Sequence, residues 1–330
     1  MNIRARTFAI TALVAGSIAG SAVAQDTVTI PLATWGGSEH VGVRQFVPAF
    51  EEALKEEAPD RVDFQHFPGG QIAQDRDMPV GIPSGQVKLG WITVNGWTGT
   101  VPDTRLMDAP TGLTMAQLDT LLDDKGLFDA LAGKFEEKNT VLLGLADLGP
   151  PCIVSNEKIL SPDDLAGKKV RVFSEGQAAA IRSFGGSPVT LPFADVYSAM
   201  QYGTIEAAVV GFQGVQSQKL YEVSDHVLVP ASFLGTTMMG WAANKQWFDG
   251  LPDDVREGLS EAMDQASHSN REAIVGEIDE ITADYRDAGM EVTFLEPEMP
   301  EFEQWQSATK PLLDDVTGQL SPDIVEIVTN

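Results

Sequence analysis

The chain contains few side chains of the kinds that perform catalysis or bind metal ions. Its four histidines, His40, His66, His226 and His268, are widely scattered. No pair is spaced as His-x-x-x-His or Cys-x-x-Cys, and neither a glycine-rich phosphate loop nor a Gly-x-Ser-x-Gly turn is present. The one cysteine, Cys152, precedes an apolar stretch and is expected to be buried. We therefore expect no catalytic residue, no metal site and no cofactor.

One charged residue lies inside a predicted strand. Residues 169–172 read Lys-Val-Arg-Val, which places Arg171 at a buried strand position. A buried arginine is costly unless a negative group pairs with it. Arg171 is therefore predicted either to pair with an internal acid or to bind the carboxylate of a ligand.

Aromatic and polar residues follow several predicted strands, at the ends where parallel sheets bind ligands. The aromatic candidates are Trp35, Trp97, Phe173 and Phe212. The polar candidates are Glu39, Asn95 and Asp147. A carboxylate beside aromatic rings is suited to a cation. Glu39 could instead cap the helix that follows, and Asp147 could instead be a solvated loop residue. Trp91 lies within a strand and is expected in the core.

Predicted strands and helices alternate along the chain. Strands are expected at residues 27–35, 62–67, 88–94, 140–145, 169–172, 189–191 and 205–210, and helices at 43–54, 117–135, 177–184 and 194–202. This alternation is typical of the α/β class with parallel sheets. Residues 253–288 keep a helical period without proline, and such a helix would be about 50 Å long. Because a single lobe is narrower, we expect it to cross two lobes rather than to project as a coiled coil.

Length, charge and the first residues indicate the class of protein. A chain of 330 residues is long enough for two domains. Its 48 acidic and 22 basic residues give a net charge of −26, so nucleic acid and anionic membranes are poor partners. In residues 1–24, the basic residues Arg4 and Arg6 are followed by an apolar stretch and then by Ala-Val-Ala. This order predicts a secretory signal peptide cleaved near Ala24. We expect a soluble, monomeric protein of the periplasm.

Four neighbouring segments carry a family resemblance. They are Asp-Leu-Ala-Gly-Lys-Lys-Val-Arg-Val at 164–172, Phe-Gly-Gly-Ser-Pro-Val at 184–189, Leu-Pro-Phe-Ala-Asp-Val-Tyr at 191–197 and Gln-Tyr-Gly-Thr-Ile-Glu-Ala at 201–207. Phe-Pro-Gly-Gly-Gln at 67–71 and Gln-Lys-Leu-Tyr-Glu-Val at 218–223 extend the match. With these segments the chain resembles the substrate-binding proteins of TRAP transporters, the DctP-type family, over nearly all residues after 24.

The resemblance implies a fold, a function and one site residue. The fold is a two-lobe, periplasmic-binding-protein-like α/β structure with a long helix spanning both lobes. The function is to close on one small solute and deliver it to a membrane permease driven by an ion gradient, without enzymatic activity. Arg171 matches the family arginine that binds a ligand carboxylate with two hydrogen bonds. The family's second arginine would align near Pro150 or Pro151, and its asparagine near Val210 or Gly211. This chain has neither residue at those positions.

These departures leave the ligand open. We expect a small organic acid or zwitterion held by Arg171. The alternative is an amine or other cation held by the aromatic residues and by Glu39 or Asp147. A secreted α/β enzyme and a sensing subunit are further alternatives.

The predicted lobes are each made of two chain segments. Lobe I is expected to comprise 25–148 and about 236–272, and lobe II 149–235 and about 273–330. A hinge is expected near Leu234 and Gly235.

Overall fold

Alternating strands and helices build this protein, which confirms the predicted α/β class. A computed structural model describes residues 27–329, so the predicted signal peptide at 1–24 lies outside the described residues. The strands are β1 Val28–Ala33, β2 Val62–Phe67, β3 Leu89–Thr93, β4 Thr140–Asp147, β5 Pro151–Ser155, β6 Lys169–Val172, β7 Ser187–Thr190, β8 Ala207–Gly211, β9 His226–Val229, β10 Met238–Asn244 and β11 Glu291–Phe294. The α-helices are α1 Val41–Arg44, α2 Phe46–Glu57, α3 Met78–Gly81, α4 Met115–Asp123, α5 Leu127–Glu136, α6 Glu175–Ser183, α7 Val196–Gln201, α8 Phe212–Ser217, α9 Lys245–Asp249, α10 Asp253–Asp287, α11 Pro300–Thr317 and α12 Pro322–Thr329.

The strands form two mixed sheets, one in each lobe. The sheet of lobe I has the order β2-β1-β3-β10-β4, and the sheet of lobe II has the order β11-β9-β5-β8-β6-β7. In lobe I, β10 runs antiparallel to both of its neighbours, and in lobe II, β5 does the same. The prediction of parallel sheets is therefore wrong for these two strands. Each of them enters its sheet from the other lobe, which reverses its direction.

Two of the connections between the lobes run side by side. One leads from β4 to β5 through residues 148–150, and the other leads into β10 through residues 235–237. The Leu148 N–H donates to the Thr237 carbonyl oxygen at 3.3 Å, and the Thr237 hydroxyl donates to the Gly149 carbonyl oxygen. The lobes are thus joined by a two-stranded ribbon, which we call the connecting ribbon.

Helix α10 crosses from one lobe to the other, as the sequence predicts. Its first part packs on α2 and β4, and its last part contacts α8 and β11. Ile274 belongs to the core around β1 and α2, whereas Ile281 and Tyr285 belong to the core around β8. The change of lobe therefore falls between Ile274 and Ile281. In the described part of the chain, residues 27–329, no helix combines the length and the apolar character needed to cross a bilayer.

One predicted helix and one predicted lobe assignment need correction. The helix expected at 117–135 is divided into α4 and α5, because Gly126 adopts a left-handed conformation with φ 79°. The C-terminal segment does not stay in lobe II as predicted. Helix α12 returns to lobe I and packs on α5, where Leu320 and Ile324 join the buried core.

Tyr285 fixes α10 to lobe II through two hydrogen bonds. Its hydroxyl donates to the Phe212 carbonyl oxygen at 2.6 Å and accepts from the Gln216 N–H at 3.0 Å. Burial raises the pKa of this phenol, so the group stays neutral and donates.

We predict that Tyr285→Phe lowers the free energy of unfolding by about 2 kcal/mol, because the buried Phe212 carbonyl oxygen loses its donor and the partly buried Gln216 N–H loses its acceptor. Urea denaturation measures this loss. Tyr202→Phe is the matched control, since Tyr202 is 80% exposed, and it should leave stability unchanged. Equal stability of the two variants would contradict the prediction.

Candidate functional site

A cavity of about 370 Å³ lies between the two lobes and is lined by residues of both. Lobe I contributes residues that follow its strands, namely Trp35, Glu39, His40, Asp75, Thr93 and Asn95. Lobe II contributes Arg171, Phe173, Phe193, Val210, Gln213 and Ser217. The connecting ribbon supplies Thr236 and Thr237. A cleft at the ends of strands from two sheets is a common place for a small ligand.

Arg171 lies in β6 and brings a positive charge to this cavity. The residue is only 5% exposed. Its Nη1 donates to the Val209 carbonyl oxygen at 2.8 Å and its Nε to the Leu191 carbonyl oxygen at 3.3 Å. Burial lowers the pKa of Arg171 to about 10, so it remains charged at neutral pH. Among the acidic side chains that the structure describes, which do not include that of Asp147, none forms an ion pair with Arg171, so the cavity faces a cation without a described counter-ion.

Aromatic rings surround this guanidinium group. The Arg171 Cζ atom lies 5.5 Å from the ring centre of Phe173 and 5.9 Å from that of Phe193. Phe193 stands in a short 3-10 helix after β7 and was not a sequence candidate. Apolar rings here exclude water and thereby strengthen the attraction of Arg171 for an anion.

Gln213 is a second polar residue of this wall that the sequence analysis missed. It lies at the start of α8, directly after β8, and is 4% exposed. Neither its Nε2 nor its Oε1 has a hydrogen-bond partner in the described structure. Space for the side chain comes from Gly149, where a Cβ atom would lie 2.5 Å from Gln213 Oε1. Gln213 thus supplies an amide close to the place where the family asparagine is missing.

Trp35 and His40 form an aromatic cluster in the wall of lobe I. Trp35 stacks on the buried Trp91 with ring centres 4.5 Å apart, and His40 meets Trp35 edge-on at 5.2 Å. The indole N–H of Trp35 has no acceptor in the described structure. His40 Nδ1 accepts from the Gly42 N–H at 3.2 Å, so a neutral ring carries its hydrogen on Nε2. Two N–H donors therefore belong to this wall.

The same wall carries two carboxylates. Asp75 precedes α3, and its Oδ1 accepts from the Thr93 N–H at 3.0 Å. Burial raises the pKa of Asp75, while the hydrogen bonds from Thr93 oppose that rise. Glu39 is exposed at the mouth of the cavity. Within residues 27–329, neither carboxylate forms an ion pair with a basic side chain.

Asn95 is held by a contact that reaches the other lobe. Its Nδ2 donates to Asp108 Oδ1 at 2.7 Å. Asp108 also accepts from the Ser174 hydroxyl and from the Gly176 N–H, at the beginning of α6 in lobe II. Burial raises the pKa of Asp108, and these donors oppose the rise. Asn95 is therefore fixed in orientation, with one of the two N–H donors of its amide in use.

The structure does not bring all the predicted residues together. Trp35, Glu39, Asn95, Arg171 and Phe173 line the cavity. Trp97 is 1% exposed and packs on Phe135 in the core of lobe I, because the 3-10 helix Val94–Trp97 turns it away from the cleft. Phe212 is fully buried against Tyr285 and Phe294. Both are corrections to the predicted walls. The backbone of Asp147 ends β4, and its side chain lies outside the described part of the chain.

Comparison with known proteins agrees with this architecture. Residues 35–319 match the model of the DctP family, described as bacterial extracellular solute-binding protein, family 7. This chain belongs to family 7. The resemblance seen in the sequence is thereby confirmed, and the members of family 7 are solute-binding proteins of transporters rather than enzymes.

Curated relatives in family 7 differ in the ligand that their names give. The C4-dicarboxylate-binding periplasmic protein DctP of Rhodobacter capsulatus is 26% identical over 283 residues, 84% of each chain. The 2,3-diketo-L-gulonate-binding periplasmic protein YiaO of Escherichia coli is 26% identical over 77% of this chain and 76% of its own. The ectoine-binding periplasmic protein TeaA of Halomonas elongata is 24% identical over 85% of this chain and 83% of its own. The three relatives have nearly the same sequence identity to this chain but are named for different ligands, so sequence identity does not indicate which ligand this chain binds.

Solved structures share the whole fold. A TRAP periplasmic solute-binding protein from Ochrobactrum anthropi superposes with a TM-score of 0.83 at 21% identity, covering 92% of this chain and 94% of its own. A second one, from Shewanella oneidensis with bound succinate, gives a TM-score of 0.80 at 22% identity, covering 92% and 98%. The two-lobe α/β fold is therefore that of the TRAP solute-binding proteins.

We predict that His40 makes stability depend on pH. Burial lowers the pKa of folded His40 to about 4 from the ordinary histidine value of 6.5. Between these pH values the unfolded chain binds more protons at this position than the folded chain, so the free energy of unfolding rises with pH across the interval. His40→Gln, whose amide can still accept from Gly42, should show a smaller rise between pH 4.5 and 7. Urea denaturation across that range tests this, and equal pH slopes in both proteins would contradict it.

Proposed function

We propose that this protein captures a small organic solute carrying a carboxylate group between its lobes and delivers it to the membrane permease of a TRAP transporter. The observation that carries the proposal is the buried charge of Arg171, which faces the cavity without an acidic partner among the described residues. A guanidinium group already held by two carbonyl oxygens loses little rotational freedom when a carboxylate binds. The relatives named for organic acids, and the bound succinate in one structure, support this class of ligand.

Capture requires that the lobes move. We propose that lobe I comprises residues 27–148, about 236–275 and α12, and that lobe II comprises 149–235 and about 276–317. Gly149 and Gly235 adopt φ angles of 88° and 78° in the two strands of the connecting ribbon. These glycines, which include the predicted hinge position, allow the ribbon to bend where other residues would be strained. Closure would bring Arg171 and Gln213 towards Trp35 and exclude water from the solute.

The proposed location is the periplasm. The relatives described above are named as periplasmic proteins, and the first 24 residues of this chain fit a signal peptide. The closed, monomeric form would present both lobes to the permease. Its strongly acidic surface is suited to remain soluble there.

We predict that Arg171→Met abolishes carboxylate binding without destabilising the free protein. Melting temperatures are measured with succinate, pyroglutamate and a panel of small monocarboxylates, each beside its uncharged amide. Ligand at 100 times its dissociation constant stabilises by about 2.7 kcal/mol, which shifts the melting temperature measurably. We expect acids, but not their amides, to stabilise the wild type. Titration calorimetry of each hit should show affinity at least about 100-fold weaker in Arg171→Met.

The free variant should melt close to the wild type, because removal of a buried charge without a described counter-ion offsets the loss of the hydrogen bonds to the Val209 and Leu191 carbonyl oxygens. Arg182→Met is the control, since Arg182 lies on the exposed face of α6. It should bind like the wild type. Undiminished carboxylate binding by Arg171→Met would refute the proposed role.

A further inference from the structure

The charges in the cavity restrict the solute more closely than the arginine alone. Arg171 contributes one positive charge from lobe II, and Asp75 contributes one partly buried negative charge from lobe I. Glu39 lies at the exposed mouth, where solvent screens it. Counted over the side chains that the structure describes, which exclude that of Asp147 at the end of β4, the enclosed part of the cavity therefore has no net charge when Asp75 is ionised. A solute enclosed there is least costly when its own net charge is also zero.

Asp75 is built into the cavity wall. Its carboxylate receives the backbone N–H of Thr93 and the Thr93 hydroxyl, which fix its orientation at the end of β3. A carboxylate has about four acceptor positions, so capacity remains for a ligand donor. The neighbouring Arg76 is not a partner, because it is directed to the exposed Asp77 at 3.8 Å. Asp75 thus retains an unneutralised charge within the cavity, as Arg171 does on the other side.

Gln213 supplies a second, independent sign that a ligand completes this site. It is almost wholly buried, and both of its amide atoms lack partners in the described structure. Leaving such a group unpaired in a closed cleft costs free energy. A carboxylate bound to Arg171 would accept from Gln213 Nε2 in the same wall. The negative end of the solute is therefore assigned to lobe II.

We propose that the solute is a small zwitterion, whose carboxylate binds Arg171 and Gln213 and whose protonated nitrogen donates to Asp75. The proposal rests on the function proposed above and adds the second end of the ligand. Trp35 lies in the wall that carries Asp75, and an indole ring favours a cation nearby. A dicarboxylate would instead place a negative group in the wall that holds Asp75.

The test compares zwitterions with dicarboxylates in three proteins. The wild type, Asp75→Asn and Asp77→Asn are screened by thermal shift against amino acids, their cyclic and N-methylated forms, and dicarboxylates including succinate. Each zwitterion that binds is then titrated beside its N-acetylated form, which keeps the carboxylate and removes the positive charge. Asp77 is the matched control, because it lies two residues from Asp75 and is exposed.

We expect at least one zwitterion to bind the wild type and Asp77→Asn with similar affinity. Asp75→Asn should weaken that binding on the order of 10- to 100-fold, since a charge-assisted hydrogen bond is lost. The same variant should also lower the ratio of zwitterion affinity to succinate affinity, because the negative charge that repels the second carboxylate of succinate is gone. Asparagine can still accept from Thr93, so the free protein should melt as the wild type does.

Three results would overturn the zwitterion proposal. They are the absence of any zwitterion among the hits, tighter binding of the N-acetylated form than of its parent, and an unchanged ratio of zwitterion to succinate affinity in Asp75→Asn. In each case carboxylate binding that still depends on Arg171 would leave the proposed function standing. Loss of the Arg171 dependence would refute both.

Discussion

Arg171 holds a full positive charge in a place where water scarcely reaches. The carbonyl oxygens of Val209 and Leu191 keep the guanidinium group in position, but their partial charges do not neutralise it. A buried ion without a counter-ion is costly to the folded state, and the rest of the chain must supply the stability that offsets it. In the proposed function, a bound carboxylate would remove that cost. Binding and stability would then be coupled through one side chain, which the surrounding elements keep directed at the cleft.

The two walls of the cleft have different chemistry. Lobe II offers Arg171, Gln213 and two phenylalanine rings, whereas lobe I offers Asp75 and the stacked Trp35. Each wall is anchored in its own sheet, and in the described structure Arg171 and Gln213 of one wall form no hydrogen bond with Asp75 of the other. A solute with two differently charged ends would contact both walls at once. Such a solute would favour the closed arrangement more than one with a single charged end.

Sequence analysis predicts the features that depend on local pattern. Arg171 can be recognised because a charged residue interrupts a buried strand. Helix α10 can be recognised because the helical spacing of its apolar residues continues over 35 residues. Asp75 has no such local signal, since its position depends on Thr93, eighteen residues away, which holds it at the end of another strand. Trp35 and Trp97 both follow strands, yet only the packing of lobe I decides which of them faces the cleft. The reversed strands β5 and β10 are equally beyond local pattern, because their direction is set by the lobe from which they arrive.

The connecting ribbon has a mechanical consequence. Two strands joined side by side by hydrogen bonds bend readily across their flat face but resist bending within it, where one strand would have to stretch. Twisting of the same ribbon is opposed by α10, a third connection that is not paired with it. We therefore expect the proposed closure to be mainly a rotation of the lobes about one axis. A single angle would then describe that closure, and a partner that contacts both lobes at the outer surface would respond to whether the cavity is filled.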